Sequence, residues 1–164
     1  MEIRRAVVHD AAEIARVHTQ TWQATYEHVF GADRLASIDA SRREAGWSRA
    51  IGDGEPVFVA VEGGRIVAFV STGPSRDPAG VGELYTIYAL PETWGTGAGP
   101  ALMAVAKEQL RADGWAEAIL WVVDDNPRAR RFYEREGWTL DGGRKEEAFL
   151  GVDVVEVRYR IRLA

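Results

Sequence analysis

The chain of 164 residues contains no cysteine. That absence excludes disulfides, zinc–thiolate centres and a cysteine nucleophile. No apolar run is long enough to cross a bilayer, and the opening Met1-Glu2-Ile3-Arg4-Arg5 lacks the hydrophobic stretch of a signal peptide. A cytoplasmic protein with no membrane partner is therefore expected. There is no surplus of positive charge: 20 basic residues against 25 acidic ones leave −5. This argues against broad nucleic-acid binding, which needs a basic face. It is compatible with a cationic small molecule or a peptide amine as substrate. Histidine is scarce, and His9, His18 and His28 stand alone, without metal-ligand spacing. They read as surface or packing residues, with His28 near enough to Tyr26 to be weighed for an acceptor site. No metal is expected. Repeats, low-complexity tracts and a second-domain boundary are also missing, so one domain over residues 1–164 is expected. With 46% hydrophobic and 10% aromatic residues the chain has the composition of an ordinary globular protein that buries a sizeable core.

What the chain does have is a glycine-rich bend. From Ile87 an apolar strand runs to Pro91, passes Gly95, Gly97 and Gly99 at alternate positions, and becomes a helix. Glycines let a backbone approach a ligand closely and take up positive φ. The first turn of the following helix has N–H groups without intrahelical partners, at the positive end of the helix dipole. Together they predict an anion site for a pyrophosphate over Gly95, Thr96, Gly97, Ala98, Gly99 and Pro100. Pro100 has no N–H, but proline is tolerated in a first helical turn. A nucleotide P-loop is not matched, because Pro100-Ala101 stands where Lys-Ser/Thr is needed. A dinucleotide fingerprint needs G-x-G-x-x-G, whereas the spacing here is G-x-G-x-G. Asp124 could mimic the ribose-binding acid of that fold, but the hairpin upstream does not suit it.

The remaining elements follow from pattern and punctuation. Ile3 to Val8 predicts a first strand. Asp10 reads as the cap of a helix from Ala11, with Glu13 completing a capping box. Ile14, Val17, Thr21, Trp22 and Thr25 keep a helical period. Trp22 and Tyr26 fall on neighbouring turns, where two readings stand: core packing, or an aromatic wall of an acceptor pocket. Gly31 to Gly54 predicts a second helical region anchored by Trp47. Pro56–Val61 and Arg65–Thr72 flank Gly63-Gly64, a hairpin signal. Gly73 to Gly82 predicts a mobile connection. Glu83–Ala89 is the central strand, with Glu83, Tyr85, Ile87 and Ala89 on one face. A helix from about Gly99 to Asp113 follows, its buried stripe through Leu102, Val105, Ala106 and Gln109 or Leu110. Ala118–Val123 reads as a strand buried on both faces. Arg128–Glu136 reads as a helix with a solvated face of charged i,i+4 pairs. Trp138 begins a strand, and Val152–Leu163 alternates as the last one. The order is β-α-α-β-β-β-α-β-α-β-β, an α/β fold with a mixed sheet.

These residues resemble the Gcn5-related N-acetyltransferase (GNAT) family over nearly the whole chain. Ile87-Tyr88-Ala89-Leu90-Pro91 followed by Trp94-Gly95-Thr96-Gly97-Ala98-Gly99 is similar to that family's coenzyme A loop, Arg/Gln-x-x-Gly-x-Gly/Ala. Asn126-Pro127-Arg128-Ala129 with Phe132-Tyr133-Glu134-Arg135-Glu136-Gly137-Trp138 is similar to its N-x-x-A…FYxxxGF segment. One departure is plain: Trp94 stands where the family has Arg or Gln, and an indole does not offer the same hydrogen bonds.

The resemblance implies a mostly antiparallel sheet flanked by helices, with central strands splayed after Ala89 and around Val122. It implies acetyl-CoA as cosubstrate and direct attack by a primary amine of a small molecule or protein. Ile87, Tyr88 and Ala89 would lie along the pantetheine arm, with backbone groups of Ile87 and Ala89 bonding its amides. Asn126 would bond the arm, or simply cap its helix. Tyr133 corresponds to a general acid near the coenzyme sulfur, and its reference pKa of about 10 keeps it protonated. Glu83 is the candidate general base, acting through water. Tyr85, with Trp22 and Tyr26, would line the acceptor pocket. A homodimer is also among the implied features. The alternatives are a coenzyme A-binding sensor without turnover, suggested by Trp94, and a module that binds proteins through its aromatic residues.

Overall fold

Alternating apolar residues in Val57–Glu62 and Arg65–Pro74 form two strands joined at Gly63 and Gly64, whose φ values of 58° and 77° make the predicted tight hairpin. The computed structural model describes residues 1–163, so the last residue of the expected domain lies outside the described residues. The strands are β1 (Glu2–Arg5), β2 (Val57–Glu62), β3 (Arg65–Pro74), β4 (Gly82–Ala89), β5 (Glu117–Val123), β6 (Thr139–Phe149) and β7 (Val152–Arg162). They build one seven-stranded sheet in the order β1-β2-β3-β4-β5-β7-β6. Among the described residues only the β4–β5 pair is parallel, and the other pairs are antiparallel.

Helices cover both faces. On one, α1 (Ala11–Thr25) buries Ile14 and Val17 against Val57, Val59 and Phe69, with Trp47 of α4 (Ala40–Gly52) packed alongside. On the other, α5 (Ala98–Ala112) packs against Ala60, Ala68, Val70 and Leu120. Its buried stripe is Leu102, Met103, Ala106 and Leu110. Met103 thus takes the place predicted for Val105, and Leu110 is chosen over Gln109. Two short helices, α2 (Glu27–Phe30) and α3 (Ala32–Ala36), precede α4. The single region predicted from Gly31 to Gly54 is broken between Ala36 and Ala40, and Gly31, whose φ of 79° cannot continue a helix, separates it from α2.

Several local expectations are corrected. The first strand stops at Arg5, and Asp10 does not cap α1. Its carboxylate accepts two bonds from the Arg4 guanidinium (2.8 and 2.9 Å) and one from the Val7 N–H (2.8 Å). Glu13 reaches the Ile66 N–H at 2.9 Å instead of closing a capping box. On α6 (Pro127–Arg135) the expected i,i+4 ion pairs are replaced by longer reaches: Arg130 bonds Asp124 at 2.7 Å, and Glu134 accepts from the Tyr159 hydroxyl at 2.8 Å. The strand begun at Trp138 extends to Phe149, kinked where Asp141 accepts from the Gly143 N–H and from Arg158.

Two irregularities of β4 shape the centre of the molecule. Opposite β3, Ser71 pairs with Thr86 and Thr72 with Leu84, so Tyr85 is the extra residue of a bulge. The predicted alternation through Glu83, Tyr85, Ile87 and Ala89 is interrupted there. Toward β5, the ladder runs only through Gly82–Ala118 and Glu83–Ile119. The strands therefore part from Glu83 onward, well before the Ala89 expected.

Candidate functional site

The parted strands open a cleft of about 830 Å³, a size that suits a sizeable organic ligand. One end is the glycine bend. Gly95 and Gly97 have φ of 79° and 94°, which only glycine adopts freely. The Thr93 hydroxyl is buried and bonds the Leu90 carbonyl at 2.7 Å, fixing the entry to the bend. The N–H of Thr96 is used within the bend by the Thr93 carbonyl, 3.2 Å away, and its hydroxyl bonds the same carbonyl. Thr96 is thus removed from the expected set of free donors. Among the described residues the N–H groups of Gly95, Gly97, Ala98 and Gly99 keep no protein acceptor, the last two because they open α5. The Ala98 methyl itself is buried in the core.

Positive charge faces this bend from α6. Arg128 and Arg135 line the cleft, and the Arg128 guanidinium lies 3.4 Å from the centre of the Trp94 ring. Burial lowers the pKa of Arg128, and Arg135 and Arg131 lower it further. These arginines fall at i, i+3 and i+7, one face of a helix. Sequence reasoning assigned that face to solvent, although its spacing was legible.

The middle of the cleft is bare backbone. The Leu90 N–H bonds the Val67 carbonyl on β3. In an antiparallel pair the polar groups of successive residues point to opposite sides. Leu90, Tyr88 and Thr86 therefore face β3, while Ile87 and Ala89 turn theirs into the gap. The Ala89 carbonyl accepts the Trp94 indole N–H at 2.9 Å. Tyr88, expected along the cofactor arm, instead sends its ring to the far end. Asn126 caps α6 by accepting from the Ala129 N–H (3.2 Å) and donates to the Tyr26 hydroxyl (3.1 Å). One amide hydrogen is left for a ligand.

The far end is aromatic and acidic. Tyr88 stacks on His18, ring centres 5.2 Å apart, and its hydroxyl accepts from the Trp22 indole at 3.2 Å. Trp22 also stacks on Phe30 at 5.6 Å, so it packs and lines the cleft at once. Burial pushes His18 down to about 3, which keeps it neutral. His28 is exposed and bonds the Asp125 carbonyl, away from this cluster. Tyr133 is buried at the cleft wall, and burial drives its pKa far above the ordinary phenol value, with Tyr88 and Tyr26 adding to the rise. Burial also pushes Tyr26 upward. Tyr85 lines the cleft, but its hydroxyl is held by the Pro74 carbonyl.

Glu83 points into this end, its pKa raised by burial. It is not alone. Glu156 of β7 is only 9% exposed and is pushed up to about 7, by burial first and then by neighbouring Glu147. Lys145 stands 3.6 Å from Glu147 and 3.8 Å from Glu156. Sequence reasoning missed all three. The signal for Glu156 was an acid flanked by Val154, Val155 and Val157 in the apolar part of β7. Among the described residues no cluster suits a metal ion, and no helix is long and apolar enough to cross a membrane.

Comparison with known proteins gives a consistent picture. The model of the Acetyltransferase (GNAT) family matches residues 13–138. The N-acetyltransferase YuaI of Bacillus subtilis is 39% identical over 129 residues, covering 76% of this chain and 73% of that protein. An N-acetyltransferase of Mycobacterium bovis is 33% identical over 141 residues, covering 82% and 86%. The crystal structure of the PaiA N-acetyltransferase of Thermoplasma acidophilum in complex with coenzyme A superposes with a TM-score of 0.75, at 18% identity and 98% of each chain. At that identity it speaks for the fold alone.

Proposed function

The chain belongs to the acetyltransferase (GNAT) family and transfers the acetyl group of acetyl-CoA, and we propose that its acceptor is a primary amine bound at the acidic, aromatic end of the cleft. The observation that carries this reading is the parting of β4 and β5 directly after Glu83 and Ile119, which joins a bend of unpartnered amides to a buried phenol and carboxylates. The relatives are named N-acetyltransferases, which favours turnover over a coenzyme sensor.

The residues present fit acetyl-CoA. Four free amides and the Arg128–Arg135 face suit a pyrophosphate. The gap-facing backbone of Ile87, with the N–H of Ala89, suits the pantetheine amides. The coenzyme supplies an acetyl group on a thioester. Glu83, with Glu156 beside it, takes the proton that the amine loses as its nitrogen bonds the acetyl carbon. Tyr133 keeps its proton at neutral pH and gives it to the sulfur as the carbon–sulfur bond breaks. Trp22, Tyr26 and Tyr85 form walls for the acceptor. We read the continuous sheet as one domain, the chain as cytoplasmic, and the assembly as a homodimer by family resemblance, which light scattering tests.

The decisive experiment mixes purified protein, acetyl-CoA and a panel of amines and follows free thiol. Release dependent on an amine is expected, with Tyr133→Phe lowering kcat by about a hundredfold or more while the coenzyme Kd stays unchanged. Tight coenzyme binding without thiol release for any amine would overturn the reading.

A further inference from the structure

At the acceptor end, two side chains of opposite charge each keep a buried polar atom without a partner. Oε1 of Glu156 is one; Nη1 of Arg43 is the other. Lys145 forms an ion pair with that oxygen at 3.8 Å, too far for a hydrogen bond, so the oxygen's hydrogen-bonding capacity stays open. Arg43 comes from α4 and lies over the Trp22 ring, 5.3 Å from its centre, without an ion-pair partner among the described residues. Both residues line the same cleft. Tyr88 links them: burial raises its pKa, Arg43 lowers it and Glu156 raises it, so the phenol senses both charges.

An unsatisfied buried charged group is costly, and most such groups find a partner. Two of opposite sign in one cavity point to a ligand that brings both complements. We propose that the acceptor is an amino acid, a molecule with both a primary amine and a carboxylate. Its amine is received at Glu156, next to Glu83 and Glu147. Its carboxylate is bonded by the Arg43 fork, whose planar donors match a carboxylate in pairs. The polarity follows from the surroundings. The Glu156 side holds three carboxylates and one lysine, and the proposed transfer step takes the amine's proton on that side. The Arg43 side holds a neutral His18 and aromatic rings, so nothing there competes for an anion. Those rings suit an apolar side chain. The transfer step is unchanged: carbon–nitrogen forms, carbon–sulfur breaks, and one proton leaves the amine as one reaches the sulfur.

This rests on the acetyl-transfer reading, and the test separates the two. Phenylalanine, phenylalaninamide and phenethylamine, with the matching leucine series, are compared as acceptors and, by calorimetry, as ligands of the coenzyme-loaded protein. For the wild type, kcat/KM is expected to favour the amino acid by about tenfold or more, as for a charged hydrogen-bonded pair. Arg43→Gln should erase that preference, lowering kcat/KM about tenfold more for the amino acid than for the amide or the amine, with the coenzyme Kd unchanged. Arg43→Lys, which keeps the charge, should restore part of it. Equal use of acid, amide and amine overturns the proposal but not acetyl transfer. So does an Arg43→Gln effect of the same size on all three. No turnover with any amine overturns acetyl transfer, and calorimetry then still decides whether the carboxylate is recognised.

Discussion

The indole N–H of Trp94 donates to the carbonyl of Ala89 at 2.9 Å, tying the glycine bend to the last residue of β4. That carbonyl faces the cleft, so the indole satisfies a group that would otherwise await a ligand. The ring is in turn covered by Arg128 at 3.4 Å. The position where the family resemblance leads one to expect Arg or Gln thus carries a neutral indole, while a cation stands directly over it from α6.

Arg128→Ala is expected to raise the coenzyme A Kd about tenfold, the size of one charge-assisted contact. Salt should weaken the variant's binding less than the wild type's, because one screened charge is gone. Trp94→Phe keeps the ring beneath Arg128 and loses only the bond to Ala89, so its Kd should change by less than about threefold. Calorimetry at two salt concentrations measures both. A larger loss from Trp94→Phe than from Arg128→Ala would reverse the assignment.

A pH dependence follows from Glu156. Its carboxyl is raised from the ordinary 4.5 to about 7, by burial and by Glu147 and Glu83, against the opposing pull of Lys145. The acceptor's amine is received at Glu156 when that carboxyl is ionised, so kcat/KM should rise through about pH 7. Glu156→Gln should remove that limb. The stability effect has the opposite sense. The folded state holds this proton more tightly than the unfolded chain, so stability is full below pH 4.5 and is lost as pH rises through about 7. Glu156→Gln should therefore raise the Tm at alkaline pH by several degrees and leave it nearly unchanged in acid.

How far the sequence carried depended on the range of the interaction. The hairpin at Gly63-Gly64, the glycine bend and the two-motif order were legible because each is written in local residue chemistry. The sheet's splaying was implied by resemblance, but its start at Glu83 depends on how β5 diverges from β4, a long-range property. Asp10 was misread for a similar reason: its local spacing fits a cap, yet Arg4 and the Val7 N–H hold it more strongly. Glu156, Lys145 and Arg43 come from elements distant in sequence, and only the folded chain gathers them in one cleft with Glu83.

Asn126→Ala tests a residue with two structural bonds. The side chain caps α6 and holds the Tyr26 hydroxyl. Losing an Asn cap costs about 1 kcal/mol, or a Tm fall of roughly 2–4 °C in a chain of this size. Freeing Tyr26 should also raise the acceptor KM more than it lowers kcat. Asn126→Ser keeps a capping oxygen but is too short to reach Tyr26, so it should recover Tm without recovering KM. Thermal melts and steady-state kinetics of the two variants separate the roles.

Gly82 opens β4 beside Glu83 and has no room for a side chain. A Cβ there would lie 2.7 Å from a Leu110 methyl and 2.8 Å from the Trp115 ring. Leu110 is fully buried, so neither neighbour retreats freely. Gly82→Ala should therefore cost about 1–3 kcal/mol, the range of an overpacked core. It should also lower kcat, because β4 pairs with β5 only at Gly82 and Glu83, and a shift there moves the carboxylate. Gly46, inside α4, supplies the contrast. Its Cβ would meet nothing within 4 Å and its φ is not positive. Gly46→Ala should raise stability by about 0.5–1 kcal/mol through helix propensity and the unfolded chain's entropy, with kinetics unchanged. Denaturant melts of both, read with kcat, distinguish a site-coupled packing defect from a general glycine effect.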